Sequence, residues 1–168
     1  DAGAVEDMSS YVTDEDKKEY KYLSNGNMMD GQYGWPLVTG VPFVLYYNED
    51  ILNALGEKAP ETWDDFARIC QEATKDTDGD GKVDQYGFAC GMNTSDIGAM
   101  QILNAYYYSA LWQNGGQVYN DDLKSVSFAD EAGKEAVTWL KGLTSYMNED
   151  FMSLSWSDAF SNVFGAGK

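Results

Sequence analysis

"VPFVLYYNEDILNALGEKAPETWDDFARICQEATKDTDGDGKVDQYGF", Val41 to Phe88, decides the fold class. It opens on Val41 to Tyr47, a continuous β-branched and aromatic run of the kind found in a buried strand. Asn48 is placed to cap a helix over Glu49 to Leu55, and Gly56 to end it. Thr62 and Asp65 occupy the N-cap and N3 positions of a second helix, reaching to about residue 75. Trp63, Phe66, Ala67, Cys70 and Ala73 form its apolar face. An aspartate-rich loop follows, then a short strand, "QYGFACG". Strands alternating with helices predict an α/β fold with a partly parallel sheet.

The flanks extend that pattern. "TDEDKKEYK" starts a short charged helix, and "GQYGWPLVTG" is extended chain broken by Gly and Pro. Beyond the strand, a helix is expected from about Ser95 to Gln113, with Met100, Leu103, Tyr107 and Leu111 along one face. "NGGQVYNDD" is a turn with a strand fragment. Asp130 caps a helix from about Glu131 to Met147, with Ala132, Ala136, Trp139, Leu140 and Leu143 inside. A last helix starts near Ser157 and ends before "GAGK". No repeat or low-complexity segment interrupts the series.

Composition removes several function classes. With 168 residues and 43% hydrophobic residues, the chain is long and apolar enough for a packed core. A net charge of −17 argues against nucleic acid and anionic membrane surfaces as partners. No apolar run approaches the roughly 20 residues of a membrane span. Histidine is absent, which excludes Ser-His-Asp and Cys-His catalysis and any His-ligated zinc. Cys70 and Cys90 lack metal-ligand spacing. With 28 carboxylates, a pair at glycosidase spacing carries no weight. Asp1 is not an initiator Met, so a processed or longer chain is expected.

The aspartate loop has the pattern of a hard-cation site. With Asp76 as position 1, Asp78, Asp80, Gly81, Lys82 and Asp84 fall at positions 3, 5, 6, 7 and 9 of an EF-hand loop. Gly81 permits the sharp turn, and Lys82 offers its backbone carbonyl. The twelfth position holds Gly87 where a bidentate Glu belongs, so another carboxylate or water has to complete the shell. Calcium binding and a plain solvated acidic turn both remain open. A single loop of this kind suits a structural brace better than a sensor.

Several motifs together resemble the family 1 extracellular solute-binding proteins of ABC importers, the maltose-binding-protein group. They are Tyr46, Tyr47 and Asn48, then Pro60, Thr62, Trp63 and Asp64, then Asp76 to Phe88. "LWQNGGQVYND", Leu111 to Asp121, and the closing "AFSNVFGAGK" extend the match. The resemblance implies a periplasmic-binding-protein-like fold of type II. Residues 1–43 would be a remnant of the first lobe, approaching a hinge near Phe43 to Asn48, and residues 44–168 an incomplete second α/β lobe. It also implies a non-catalytic, extracytoplasmic protein, periplasmic or a cell-surface lipoprotein. Such a protein hands a small solute, here a sugar, to a membrane permease. A lobe of an extracellular carbohydrate-active enzyme and a calcium-dependent adhesion module are the rival readings.

Sugars are held by aromatic faces and planar polar side chains. Asn93, Thr94, Ser95 and Asp96 follow a strand and precede a helix, where open α/β sheets bind ligands. Helix capping by Thr94 or Ser95 explains the same residues. By resemblance, Trp156 is a ligand-facing aromatic, with a core Trp as the other reading, and Tyr33 and Trp35, beside the hinge, are candidates to line the first-lobe side. Trp63 and Trp139 are expected in the core, and "AYYYSALW" in helix packing. Cys70 and Cys90 form either a disulfide or two buried thiols.

Overall fold

The computed structural model describes residues 3–28, 31–36, 43–93, 100, 102–122 and 124–168. The chain divides into two compact units, Asp1–Val44 and Leu45–Lys168.

In the first unit, helix α1 spans Asp14–Glu19. It starts where Thr13 accepts the Asp16 N–H while the Asp16 carboxylate accepts the Thr13 N–H, a reciprocal pair that satisfies two orphan donors. Strands β1, Asn27–Met28, and β2, Gly31–Gln32, pair antiparallel, with Asn27 opposite Gln32. The Gln32 amide is buried and donates to the carbonyls of Leu23 and Gly34. Asp7 Oδ1 ties the N-terminal segment down by accepting from Gln32 N at 3.0 Å and Ser9 N at 2.9 Å. A carboxylate that serves two backbone donors fixes both stretches of chain at once.

In the second unit, helix α2 is Glu49–Leu55. Asn48 caps it through the N–H groups of Asp50 and Ile51, and the chain leaves it at Gly56 in the left-handed region. Helix α3, Trp63–Ala73, starts where Thr62 accepts the Asp65 N–H and buries Ile69, Cys70 and Ala73. Arg68 on α3 forks onto both Glu57 oxygens, at 2.7 and 3.0 Å, and closes the loop between the two helices. A π-helical stretch, Ile102–Tyr108, leads into α4, Ser109–Gln113. Helix α5, Glu131–Leu143, is capped by Asp130 and tightens into a 3₁₀ turn over Thr144–Tyr146. Helix α6, Trp156–Ala159, runs on as a π turn over Phe160–Phe164.

Two apolar clusters hold this unit together. Cys90, Leu143 and Met147 form one, ringed by Phe66, Phe88 and Trp139 among others. Ala110, Leu111 and Ala136 form the other, where α4 meets α5.

Four expectations need correction. Residues 43–47 are not a buried strand: no strand is assigned, and Val44 and Tyr46 are 61% and 65% exposed. A hydrophobic run becomes a strand only where neighbouring strands pair with it, and among the described residues none does. Val41 and Pro42 lie outside the described residues. "QYGFACG" makes single bridges rather than a strand, Gln85 to Lys75 and Phe88 to Met147. Trp63 is not core, being 39% exposed, although its ring meets Trp139 at 4.3 Å. The helix expected to reach Met147 ends four residues earlier at Leu143. Between the two open readings of the cysteines, both are free and buried.

Candidate functional site

The second unit brings two separated segments side by side. Phe88 and Met147 form a parallel bridge, with Phe88 N donating to Tyr146 O at 2.9 Å. Further along, Met92 N donates to Phe151 O, and Asn93 N to Leu154 O at 3.0 Å. Both residue numbers rise together, so the segments 88–93 and 146–154 run in the same direction. Between these contacts, Asn148 is only 2% exposed. Its Oδ1 accepts the Cys90 N–H at 2.9 Å and its Nδ2 donates to Asp150 at 2.8 Å. An amide has both a donor and an acceptor, so it replaces a ladder contact where the second segment departs from strand geometry.

The two segments end together. Asn93 Nδ2 donates to Ser153 O at 2.9 Å, and Trp156 begins α6 immediately after the capping Ser155. Gly91 is required here, because a Cβ on it would lie 2.2 Å from Ser155 O and 2.9 Å from Trp156 N. Of the residues selected from sequence, Asn93 and Trp156 are thus placed at neighbouring segment ends. Thr94, Ser95 and Asp96 lie outside the described residues. Trp156 is 44% exposed, and among the described residues no other aromatic ring stacks on it.

Tyr33 and Trp35 belong to the first unit. They line an open cavity of about 670 Å³ with Met8, Tyr11, Glu6 and Asp16. Tyr20 meets the Trp35 ring edge-on at 5.2 Å and fixes its plane.

The aspartate loop gathers carboxylates. Oxygens of Asp76, Asp78 and Asp84 lie within 4.8 Å of one another. Both Asp76 oxygens accept backbone N–H groups, from Gly79 at 2.6 Å and Gly81 at 2.7 Å. The Gly81 and Gly79 amides hold the Asp76 carboxyl below the usual aspartate range. Gly81 sits at φ +90°, a conformation that side chains with a Cβ rarely adopt. Asp84 is held by the Thr77 N–H and hydroxyl at 2.9 and 2.8 Å. Asp80 stands outside the triple and accepts the Lys82 N–H. Three carboxylates converging on one point fit a hard cation with oxygen preference.

The thiols are poor nucleophiles. Burial pushes Cys70 up to about 12 and Cys90 up to about 11, so both are protonated at neutral pH. Cys70 donates to Gly87 O at 3.3 Å.

The family model for bacterial extracellular solute-binding proteins matches residues 1–168. The chain belongs to this family. The solute-binding protein therefore shares the family's periplasmic-binding-protein-like fold and extracytoplasmic setting. Among the described residues no helix is long and apolar enough to cross a membrane. It is 28% identical over 165 residues to the "Putative binding protein BAB2_0491" of Brucella abortus (strain 2308). The same identity holds for the "Putative binding protein BRA0748/BS1330_II0741" of Brucella suis biovar 1 (strain 1330). Each alignment covers 90% of this chain, which spans 37% of the length of these curated relatives. No solved structure matches it.

Reasoning from sequence missed Gly91 and Asn148. Gly91 and Asn148 matter through contacts with residues about sixty positions away in the chain, and no local pattern announces that.

Proposed function

We propose that this solute-binding protein is the substrate-binding component of an ABC importer and that its solute is a carbohydrate. The observation that carries the reading is the pairing of segments 88–93 and 146–154, which sets the Asn93 amide and the exposed Trp156 ring at adjacent ends. Ends of parallel segments in α/β folds are where ligands sit. An aromatic face takes the apolar face of a sugar ring, while an amide takes its hydroxyls. Thr94, Ser95 and Asp96, next to Asn93 in the chain, are the further polar ligand residues of this reading. In the first unit, Tyr33 and Trp35 supply a second aromatic surface. Residues 44–168 act as an incomplete second lobe of the type II fold and residues 1–43 as a remnant of the first. The protein works outside the cytoplasm, periplasmic or anchored as a lipoprotein, and delivers the sugar to a membrane permease. It binds without turnover.

The aspartate loop holds one structural calcium ion through Asp76, Asp78, Asp80 and Asp84 and the carbonyl of Lys82. The convergence of three of these carboxylates supports this role. An ion bound to the folded state alone stabilises it by mass action.

Calorimetry against maltotriose, cellotriose and xylotriose tests the solute. One of them is expected to bind, to be recovered unchanged, and to lose about tenfold or more in affinity in Trp156→Ala. Cleavage products would point to the enzyme reading, and silence toward all three would reject the carbohydrate. Thermal melts with calcium and with a chelator test the loop, and coincident melting curves would remove the metal.

A further inference from the structure

The cavity of the first unit is walled by two stretches of chain that backbone groups fix to each other. Met8 N donates to Gln32 O at 2.8 Å, and the Asp7 carboxylate accepts from Gln32 N at 3.0 Å. Tyr11 N donates to Met8 O at 2.9 Å, and Tyr33 N to Gly26 O at 2.9 Å. Residues 5–16 and 33–35 are therefore held against each other in one arrangement. The missing side chain at Gly31 leaves room for the Tyr33 ring, since a Cβ there would lie 2.6 Å from Tyr33 Cε2. Trp35 is half-buried, with its plane set by Tyr20. The volume, about 670 Å³, lies inside the roughly 300–1,000 Å³ of small-ligand sites.

The lining has one consistent chemistry. Tyr11, Tyr33 and Trp35 supply rings, Met8 supplies apolar surface, and Glu6 and Asp16 supply carboxylates; no basic side chain among the described residues lines it. Asp16 commits Oδ2 to the Thr13 N–H and hydroxyl, at 2.8 and 2.6 Å. Among the described residues, Glu6 has no hydrogen bond or ion pair. Lys17 and Lys21 of the same unit are engaged elsewhere, Lys17 with Asp14 at 3.2 Å and Lys21 over the Tyr22 ring at 5.3 Å. Aromatic faces attract a cation, more strongly once water is displaced. Carboxylates repel an anion and leave a neutral ligand without a charged partner. An alkylammonium group matches both features, because its positive charge is clothed in apolar surface. We propose that this cavity binds an alkylammonium group, with Trp35 and Tyr33 in cation–π contact and Glu6 as the balancing charge. This goes beyond the sugar reading and stands independently of Asn93 and Trp156.

The test compares ligands of matched shape and different charge. Choline is set against its neutral carbon isostere, dimethylbutanol, and glucosamine against glucose. The chain has five tryptophans, so five indole N–H resonances are expected in a ¹⁵N spectrum, and Trp35→Phe identifies one of them by its loss. At least one of the two cations should shift that resonance and bind about three- to tenfold more tightly than its neutral counterpart. Glu6→Gln should remove about threefold of the cation's affinity and leave the neutral counterpart unchanged, and added salt should act in the same direction. The Trp35 resonance of ligand-free Glu6→Gln should stay in place, which shows that the wall keeps its shape. Binding of choline alone would make this a site for a free alkylammonium ion, and binding of glucosamine alone would put the group on a sugar. Equal affinity within both pairs, or no binding by either cation, overturns the proposal. So does a cation preference that leaves the Trp35 resonance unmoved or survives Glu6→Gln intact. Trisaccharide binding by Trp156→Ala reports on the sugar reading separately, so the failure of one is distinct from the failure of the other.

Discussion

The two units are held together by different forces. In residues 45–168, apolar side chains close two clusters, with Leu111, Leu143 and Cys90 at essentially zero exposure. In the described part of residues 1–44, Leu23 is the one buried apolar side chain, and the other buried side chain is the Gln32 amide. Apolar burial is additive and tolerant of direction, whereas a hydrogen-bonded amide works only in one geometry. The described part of the first unit therefore relies more on a few directional polar contacts.

Substitutions can break this contrast. Leu143→Ala leaves a cavity at the centre of the larger cluster and should cost about 2–5 kcal/mol in urea unfolding. A loss under about 1 kcal/mol would mean that the cluster is loosely packed and that the contrast is false. Gln32→Leu fills similar space but leaves the carbonyls of Leu23 and Gly34 without their donor, a loss of about 1–3 kcal/mol confined to the first unit. Hydrogen exchange should rise around Gly31 and Gln32 and stay unchanged around Leu143. Protection preserved in both places would show that the amide is dispensable.

Helix caps sharpen the comparison because they occur in both units. Thr13→Ala and Thr62→Ala each delete a side-chain acceptor at a helix start and should each cost about 1 kcal/mol. Equal losses would locate the difference between the units in packing rather than in local helix stability; a much larger loss at Thr13 would put it in the helix.

The smallest effect is electrostatic. Asp76 sits at the surface of its loop, yet backbone amides lower its carboxyl. A group depressed in the folded state contributes its stability above the ordinary aspartate value of about 3.9, and that contribution is lost as pH falls through the depressed value. In a carboxyl ¹³C titration, Asp76 should therefore titrate below about 3.9. A midpoint at or above that value would mean that the Gly79 and Gly81 amides do not grip it in solution.

Much of the local structure is legible in the chain. Asn48, Thr62 and Asp130 cap the helices that their positions indicate, because a cap needs only a short polar side chain two or three residues ahead of an unpaired N–H. Spacing alone also indicates that aspartates converge at the loop, since alternating residues around a tight glycine turn point inward. The run Phe43 to Tyr47 misleads for the opposite reason. Its composition favours a strand, but a strand is a relation between segments, and composition says nothing of the partner.

The sequence by itself determined the caps, the aspartate spacing, the absence of histidine chemistry and the family to which the motifs belong. Each of these is set by residues within about a dozen positions of one another, or by composition. Only the tertiary structure decided that Asn93 and Trp156 stand at neighbouring segment ends and that Asn148 bridges two segments. Those contacts close loops of roughly fifty to sixty residues. Which distant partner repays the entropy of such a closure is fixed by the packing of the whole unit, not by the local alphabet.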